Sequence, residues 1–460
     1  MSKLKLDYMP SGFCGGGIRL ESVLSKASEK NRAGYINFMA DWFNDMRDKY
    51  LAGIQLMFNP VSDTEKNIEL FINEIRPKIT KGIDLYADSG GLQLSRGTLN
   101  SKNKDLNQIK EGVYNLMVKY ADYGMCFDYL PIKPPETTNQ SDYQNLIVVE
   151  AMVETCGRDT GREIKKQIEY FKKYDSKVKI LAILQGYNLD QKCRFAEQLY
   201  AQLSEEDYGF ISGISPAAMS AMELLNGYDI YYELDKLPVP EEHLKNVHFL
   251  GLASMIKLAP VFTAIKHNKN LLFPKIEKFT ADSTTFTCSE YMGKFQDVQR
   301  YHSTYTLGRT VNKTTYEMLN RRFEFFKDRF KKFLDVDLTY KEYLNKYTVY
   351  RGDGLHLIDS FEGSDDDFAA YTFRYFLSFA DETSKFLESM QNYEKFYTHK
   401  VYGPILEILD KMNTKDDYFY YRPYLQKILG ANKPRSMYSY KIINTLDEDV
   451  LDGHSLDSLF

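Results

Sequence analysis

The chain is short of the residues that build metal and redox sites. Five cysteines, Cys14, Cys126, Cys156, Cys193 and Cys288, are scattered over 460 residues with no CxxC or CxC pair. Such spacing offers no cysteine-rich zinc site, and the odd number reads as reduced thiols, not a disulfide framework. The seven histidines form no HxxxH or HExxH pattern, which removes a second route to a metal. No run approaches 18 apolar residues, and "MSKLKLDYMP" has no apolar centre of the signal-peptide kind. Neither a membrane partner nor export is expected, and the expected location is the cytoplasm. Excess charge is also missing: the net value is −5, so any polyanion would have to meet a local basic patch. "SGFCGGGIRL" lacks the GK[ST] of a phosphate-binding loop and reads as a turn near the start.

What is present is a repeating alternation. Apolar runs end near Pro60, Asp88, Asp128, Gln185, Gly213, Gly251 and Asp282, and "SGFCGGGIRL" offers an eighth. Helical stretches such as "DTGREIKKQIEYFKKY" and "DQKCRFAEQLYAQL" lie between them. Strand–helix alternation at this spacing implies parallel β-structure with crossover helices. Seven or eight units fit an α/β fold of the (β/α)8 TIM-barrel type over residues 1–310. After residue 310 the pattern is mainly helical. Leu319, Phe323, Phe326, Phe330 and Leu334 recur at steps of four, three, four and four, one apolar helix face. Residues 311–460 are therefore expected to form a helical accessory domain.

In a parallel barrel the chemistry is carried at the C-terminal ends of the strands. Here those ends present Asp88, Asp128, Gln185, Gly213 and Asp282. Asp and Gly after a strand are also common turn residues and helix caps, so each one alone has a structural explanation. Together they form a set that could read a purine. Carboxylates accept from N1–H and a 2-amino group, while an amide side chain or a backbone N–H serves O6 and N7. A further carboxylate could attack a sugar carbon, as in glycoside chemistry.

The motifs themselves resemble the guanine transglycosylases, the queuine and archaeosine tRNA enzymes. "ADSGGLQ" resembles their DSGG(F/Y)Q signature, "CFDYLP" their FDE-type segment, "ILQGY" their VQGG and "ISGISP" their GGLAVGE. "FLGLAS" resembles their M-G-V-G segment and "FTADST" their nucleophile strand, in the same order along residues 80–285. The resemblance implies Asp282 as the nucleophile that forms a covalent glycosyl-enzyme, and Asp88 as the general acid and base. It implies Asp128, Gln185 and Gly213 as readers of the purine edge, with Ser89, Gly90, Gly91, Gly186 and Gly251 beside them. Leu92 stands where the family stacks an aromatic ring, and Leu250 where it covers the other face of the base.

Two departures point to one branch of that family. The tRNA enzymes carry a CxCxxC-plus-His zinc site, whereas Cys288 and His302 stand here without partner cysteines. No zinc and no other cofactor is therefore expected. The best match is the DNA-directed branch of phage and bacterial systems, which exchanges guanine in DNA for a 7-deazaguanine such as preQ0. The implied partners are DNA, the free incoming base and guanine as the leaving base; for a phage-encoded chain the location is the host cytoplasm. Basic candidates for the nucleic-acid backbone are Lys294, Arg300, Arg309, Arg321 and Arg322, although Glu324 and Asp328 interrupt the helix carrying the last two. A tRNA substrate, or a barrel that binds nucleic acid without catalysis, remains open at this point.

Overall fold

The computed structural model describes residues 4–14, 18–61, 63–90, 106–132, 145–220, 222–283, 286, 296–297, 302–303, 313–351, 354–357, 363–430 and 439–443. The chain divides into two compact units. One comprises Met1–Tyr8, Asp84–Asp282 and Met390–Phe460; the other comprises Met9–Ile83 and Ser283–Ser389.

In the first unit the strands lie in the order Lys5–Pro10, Lys278–Ser283, Asn246–Phe249, Ile211–Pro216, Lys179–Leu184, Tyr123–Met125 and Leu85–Ala87. From Leu85–Ala87 to Lys278–Ser283 each strand pairs in parallel with the next. The first strand of the chain lies beside the last of this series, with Lys5 N donating to Glu277 O at 3.0 Å. Sequential neighbours with first beside last is the strand order of a (β/α) barrel. Helices Leu106–Tyr120, Val153–Lys173, Leu189–Tyr200, Leu224–Tyr232 and Met255–Lys266 make the crossovers. The strands read as apolar runs such as KILAIL because both faces are covered. The opening strand is Lys5–Pro10, ahead of the glycine-rich stretch expected to supply it; Leu6 and Tyr8 are buried there.

Crossover helices pack closely where the sequence removes side chains. A Cβ on Gly157 would lie 2.5 Å from Phe195 O, and one on Gly161 would lie 2.4 Å from Leu199 O. Those two glycines, one helical turn apart, let Val153–Lys173 seat directly on Leu189–Tyr200.

The two units meet at residues 8/9, 83/84, 282/283 and 389/390, and the expected boundary at 310 lies inside the second. Residues 402–411 and 415–430 form helices in the barrel unit, clad on its crossover helices. Arg422 holds Asp229 through Nε and Nη2 at 2.7 and 2.6 Å, and Tyr418 OH donates to the same carboxylate at 2.6 Å. Tyr418 is thereby buried, whereas Phe419, Tyr420 and Tyr424 face solvent.

The second unit is built around aromatic rings on Glu29–Lys49, Lys313–Leu334 and the Asp365–Gln391 helix. Phe38 meets Phe326, Phe330, Phe373 and Phe376, and the single Trp42 meets Phe43, Phe376 and Phe379. Trp42 Nε1 donates to Ser384 Oγ at 3.1 Å. Of the apolar face read at Leu319, Phe323, Phe326, Phe330 and Leu334, the first four are buried and Leu334 is half-buried. Among the described residues no helix is long and apolar enough to cross a membrane.

Candidate active site

Asp88 follows the strand Leu85–Ala87, Asp128 lies three residues past Tyr123–Met125, Gln185 follows Lys179–Leu184, and Asp282 is penultimate in Lys278–Ser283. Because the strands are parallel, all four side chains belong to the same end of the sheet. Four strands separate the Asp88 strand from the Asp282 strand in the sheet order, yet the two carboxylates repel each other. The sheet of this unit therefore curls enough to bring its edges together.

Asp282 is held by its neighbour strand. The backbone N–H of Gly251 donates to Asp282 Oδ1 at 2.7 Å. Gly251 has φ +67, a left-handed conformation that favours glycine, and this turn aims its N–H at the carboxylate. His248 pairs in register with Thr280; its Nδ1 is 2.8 Å from Thr280 Oγ1 and its Nε2 is 3.2 Å from Asp282 Oδ1. The imidazole is wholly buried, and its Nε2 lies off the line of a full hydrogen bond.

The other two acids are pushed towards their neutral forms. Burial raises the Asp88 carboxyl to about 6, and the charge of Asp282 adds to the rise. The backbone amides of Gly90 and Ser89, and then His248, pull the other way. Burial raises Asp128 to about 7 against the hydrogen bond from Gln185, with Asp88 adding a smaller push upward. Gln185 Nε2 donates to Asp128 Oδ2 at 2.5 Å. Two nearby acids with carboxyls tuned upward beside a third, hydrogen-bonded one are a common arrangement for acid–base work.

A buried scaffold supports these groups. Lys110 Nζ binds Glu163 at 2.9 Å and Tyr129 OH at 3.0 Å, while the Tyr129 backbone N–H reaches Thr160 Oγ1 at 3.0 Å. The peptide next to Asp128 is thus tied to the helix Val153–Lys173. Lys192, fully buried, donates to Leu184 O at 3.2 Å and Ala217 O at 2.7 Å, clamping the ends of two adjacent strands. Burial pushes its ammonium down to about 7. Lys257 gathers the carbonyls of Met219, Ser220 and Met222 at 3.0, 2.6 and 2.7 Å. None of His248, Lys192 or Lys257 was singled out from the sequence. The one available signal was His248, an ionisable side chain inside the apolar strand "NVHFL" two positions before Leu250.

The remaining expected residues are distributed unevenly. Ser89 is buried and Gly90 has φ +72, whereas Gly91 and Leu92 lie outside the described residues. Gly186, at φ +127, turns the chain immediately after Gln185. Leu250 is partly exposed just beyond its strand. Gly213 is not at a strand end: the strand continues to Pro216, and Gly213 pairs with Leu181 beside a bulge that skips Ser212. A Cβ there would sit 2.2 Å from Asn246 O, so its glycine serves strand packing.

Lys294, Arg300 and Arg309 lie outside the described residues. Arg321 and Arg322 belong to the other unit, where Arg321 pairs with Asp381 at 3.0 Å and the buried Arg322 donates to Ser378 Oγ at 3.2 Å. Arg322 is thus engaged in helix packing and does not face solvent. Cys288 is outside the described residues, and among those described no cluster of three or more His, Cys, Asp or Glu is gathered for a metal. No protein-family model matches the chain, and no curated protein matches it significantly.

Proposed function

We propose that the chain is a base-exchange enzyme that replaces guanine in DNA with a 7-deazaguanine through a glycosyl-aspartate intermediate. The observation that carries the reading is the division of labour among three carboxylates at one end of the sheet. Asp282, held by the Gly251 amide, is the nucleophile. Asp88, raised to about 6, holds a proton that a departing base needs and can take one back from an incoming base. Asp128 and Gln185 form a polar edge suited to hydrogen-bonding a purine.

The bonds balance in two displacements. A carboxylate oxygen of Asp282 bonds to C1′ while the C1′–N9 bond breaks; its electron pair goes to N9, which takes the proton of Asp88. The incoming base then gives its N9 proton to Asp88, N9 bonds to C1′, and the ester bond returns its pair to Asp282. A base within a duplex has to be flipped out first, at a cost of roughly a few kcal/mol. DNA as the polymer rests on the sequence motifs together with the missing CxCxxC.

The test is incorporation of radiolabelled guanine or preQ0 into duplex DNA or tRNA. Label is expected in DNA. Label in tRNA alone would transfer the same chemistry to the other polymer. Label in neither, beside an active transglycosylase control, overturns the enzymatic reading.

A further inference from the structure

We propose that His248 is a positioning residue for Asp282: with the Gly251 amide it fixes Oδ1 and leaves Oδ2 as the attacking atom. This deepens the proposed function and rests on Asp282 being the nucleophile. His248 faces Thr280 directly across two parallel strands, and Asp282, two residues beyond Thr280, shares that face. Gly251 N lies 2.7 Å and His248 Nε2 lies 3.2 Å from the same oxygen, Oδ1.

The tautomer follows from what surrounds the ring. In the neutral ring one nitrogen carries a proton and the other a lone pair; in the charged ring both carry a proton. A lone pair on Nε2 would face a carboxylate oxygen at 3.2 Å in a fully buried position, two acceptors pressed together. A proton on Nε2 removes the conflict in either charge state: the Thr280 hydroxyl, 2.8 Å from Nδ1, can donate to a bare Nδ1 or accept from a protonated one while Nε2–H turns toward Oδ1. The Nε2–Oδ1 contact is not aligned as a full hydrogen bond, so it acts as an electrostatic restraint beside the direct amide bond.

Two donors on one oxygen separate the roles of the pair. Oδ2 makes the bond to C1′, and Oδ1 becomes the carbonyl oxygen of the ester. When the ester opens, the returning charge spreads onto Oδ1, where both donors are already in place. His248 touches neither sugar nor base in this scheme.

The experiment has two readouts on the full chain. Nitrogen-15 spectra of labelled histidine read the ring directly: an N–H on Nε2, with a signal that moves in Asp282→Asn, is expected. A bare Nε2 with the N–H on Nδ1 alone, or a signal indifferent to Asp282→Asn, overturns the proposal whatever the enzyme does. The second readout is the rate at which a guanine-containing oligonucleotide becomes covalently attached. His248→Phe keeps a ring but loses both nitrogens, and the rate is expected to fall about 10–100-fold with little change in KM. His248→Gln returns an N–H near the Nε2 position and is expected to recover most of the rate. A wild-type rate in His248→Phe, or no recovery in a His248→Gln protein that melts like wild type, overturns it. No attachment in the wild type defeats the proposed function instead, and the spectra still decide how Oδ1 is held.

Discussion

Gln185 donates from Nε2 to Oδ2 of Asp128 at 2.5 Å, linking groups that follow two adjacent parallel strands. Asp128 is buried and its carboxyl is raised from 3.8 to about 7, so the folded chain holds a proton there that the unfolded chain releases earlier. Between those values the native state binds more protons, and stability falls as pH rises. Asp128→Asn removes that loss while keeping an acceptor for Gln185. The variant should gain about 2–4 kcal/mol over wild type at pH 8, and the gain should shrink towards zero near pH 4. Denaturant melts at both pH values measure it.

Asp88 gives opposite pH limbs to the two displacements. The first needs its proton, so attachment should slow about tenfold per pH unit above roughly 6, the value to which burial raises it. The second needs the carboxylate, so release to an incoming base should quicken through the same range. Single-turnover rates from pH 5 to about 8 separate the limbs, and Asp88→Asn should flatten both.

Asp282→Ala removes the group that the Gly251 amide holds. A denaturation-resistant adduct between protein and oligonucleotide should vanish, which intact-mass spectrometry reads. An adduct that survives moves the nucleophile elsewhere.

Gly157→Ala tests the helix contact behind Asp128. Its Cβ would meet Phe195 O at 2.5 Å, a backbone atom that can move only with its helix. A loss of about 1–3 kcal/mol in a denaturant melt is expected. A neutral result would show that the two helices separate easily.

Arg322→Ala distinguishes packing from nucleic-acid contact. Arg322 is buried beside Ser378 and Asp381, so removing it leaves a buried carboxylate short of a partner. The expected result is a loss of about 3–5 kcal/mol in stability with the salt dependence of DNA binding unchanged.

Asp88, Asp128, Gln185 and Asp282 were legible because an acid or amide after an apolar run marks where a parallel strand stops. The sequence could not place Gly213, whose meaning depends on the carbonyl of Asn246 lying against it and on a bulge at Ser212. Lys192 was equally hidden, since a lysine in a helical stretch reads as solvent-facing until two strand-end carbonyls are known to surround it. Where the helices after residue 310 pack was hidden for a related reason. Periodicity identified Phe326 and Phe330 as one helix face, but not that they pack on Phe38, almost 300 residues earlier.

The single tryptophan has a practical consequence. Trp42 is wholly buried, donates to Ser384, and belongs to the unit that does not contain the four strand-end side chains. Its intrinsic fluorescence is therefore a local reporter. A ligand that stiffens only the carboxylate-bearing unit would leave the emission midpoint where it was, while calorimetry would register the gain. Disagreement between those two traces would show the units melting separately, and agreement would show them melting as one.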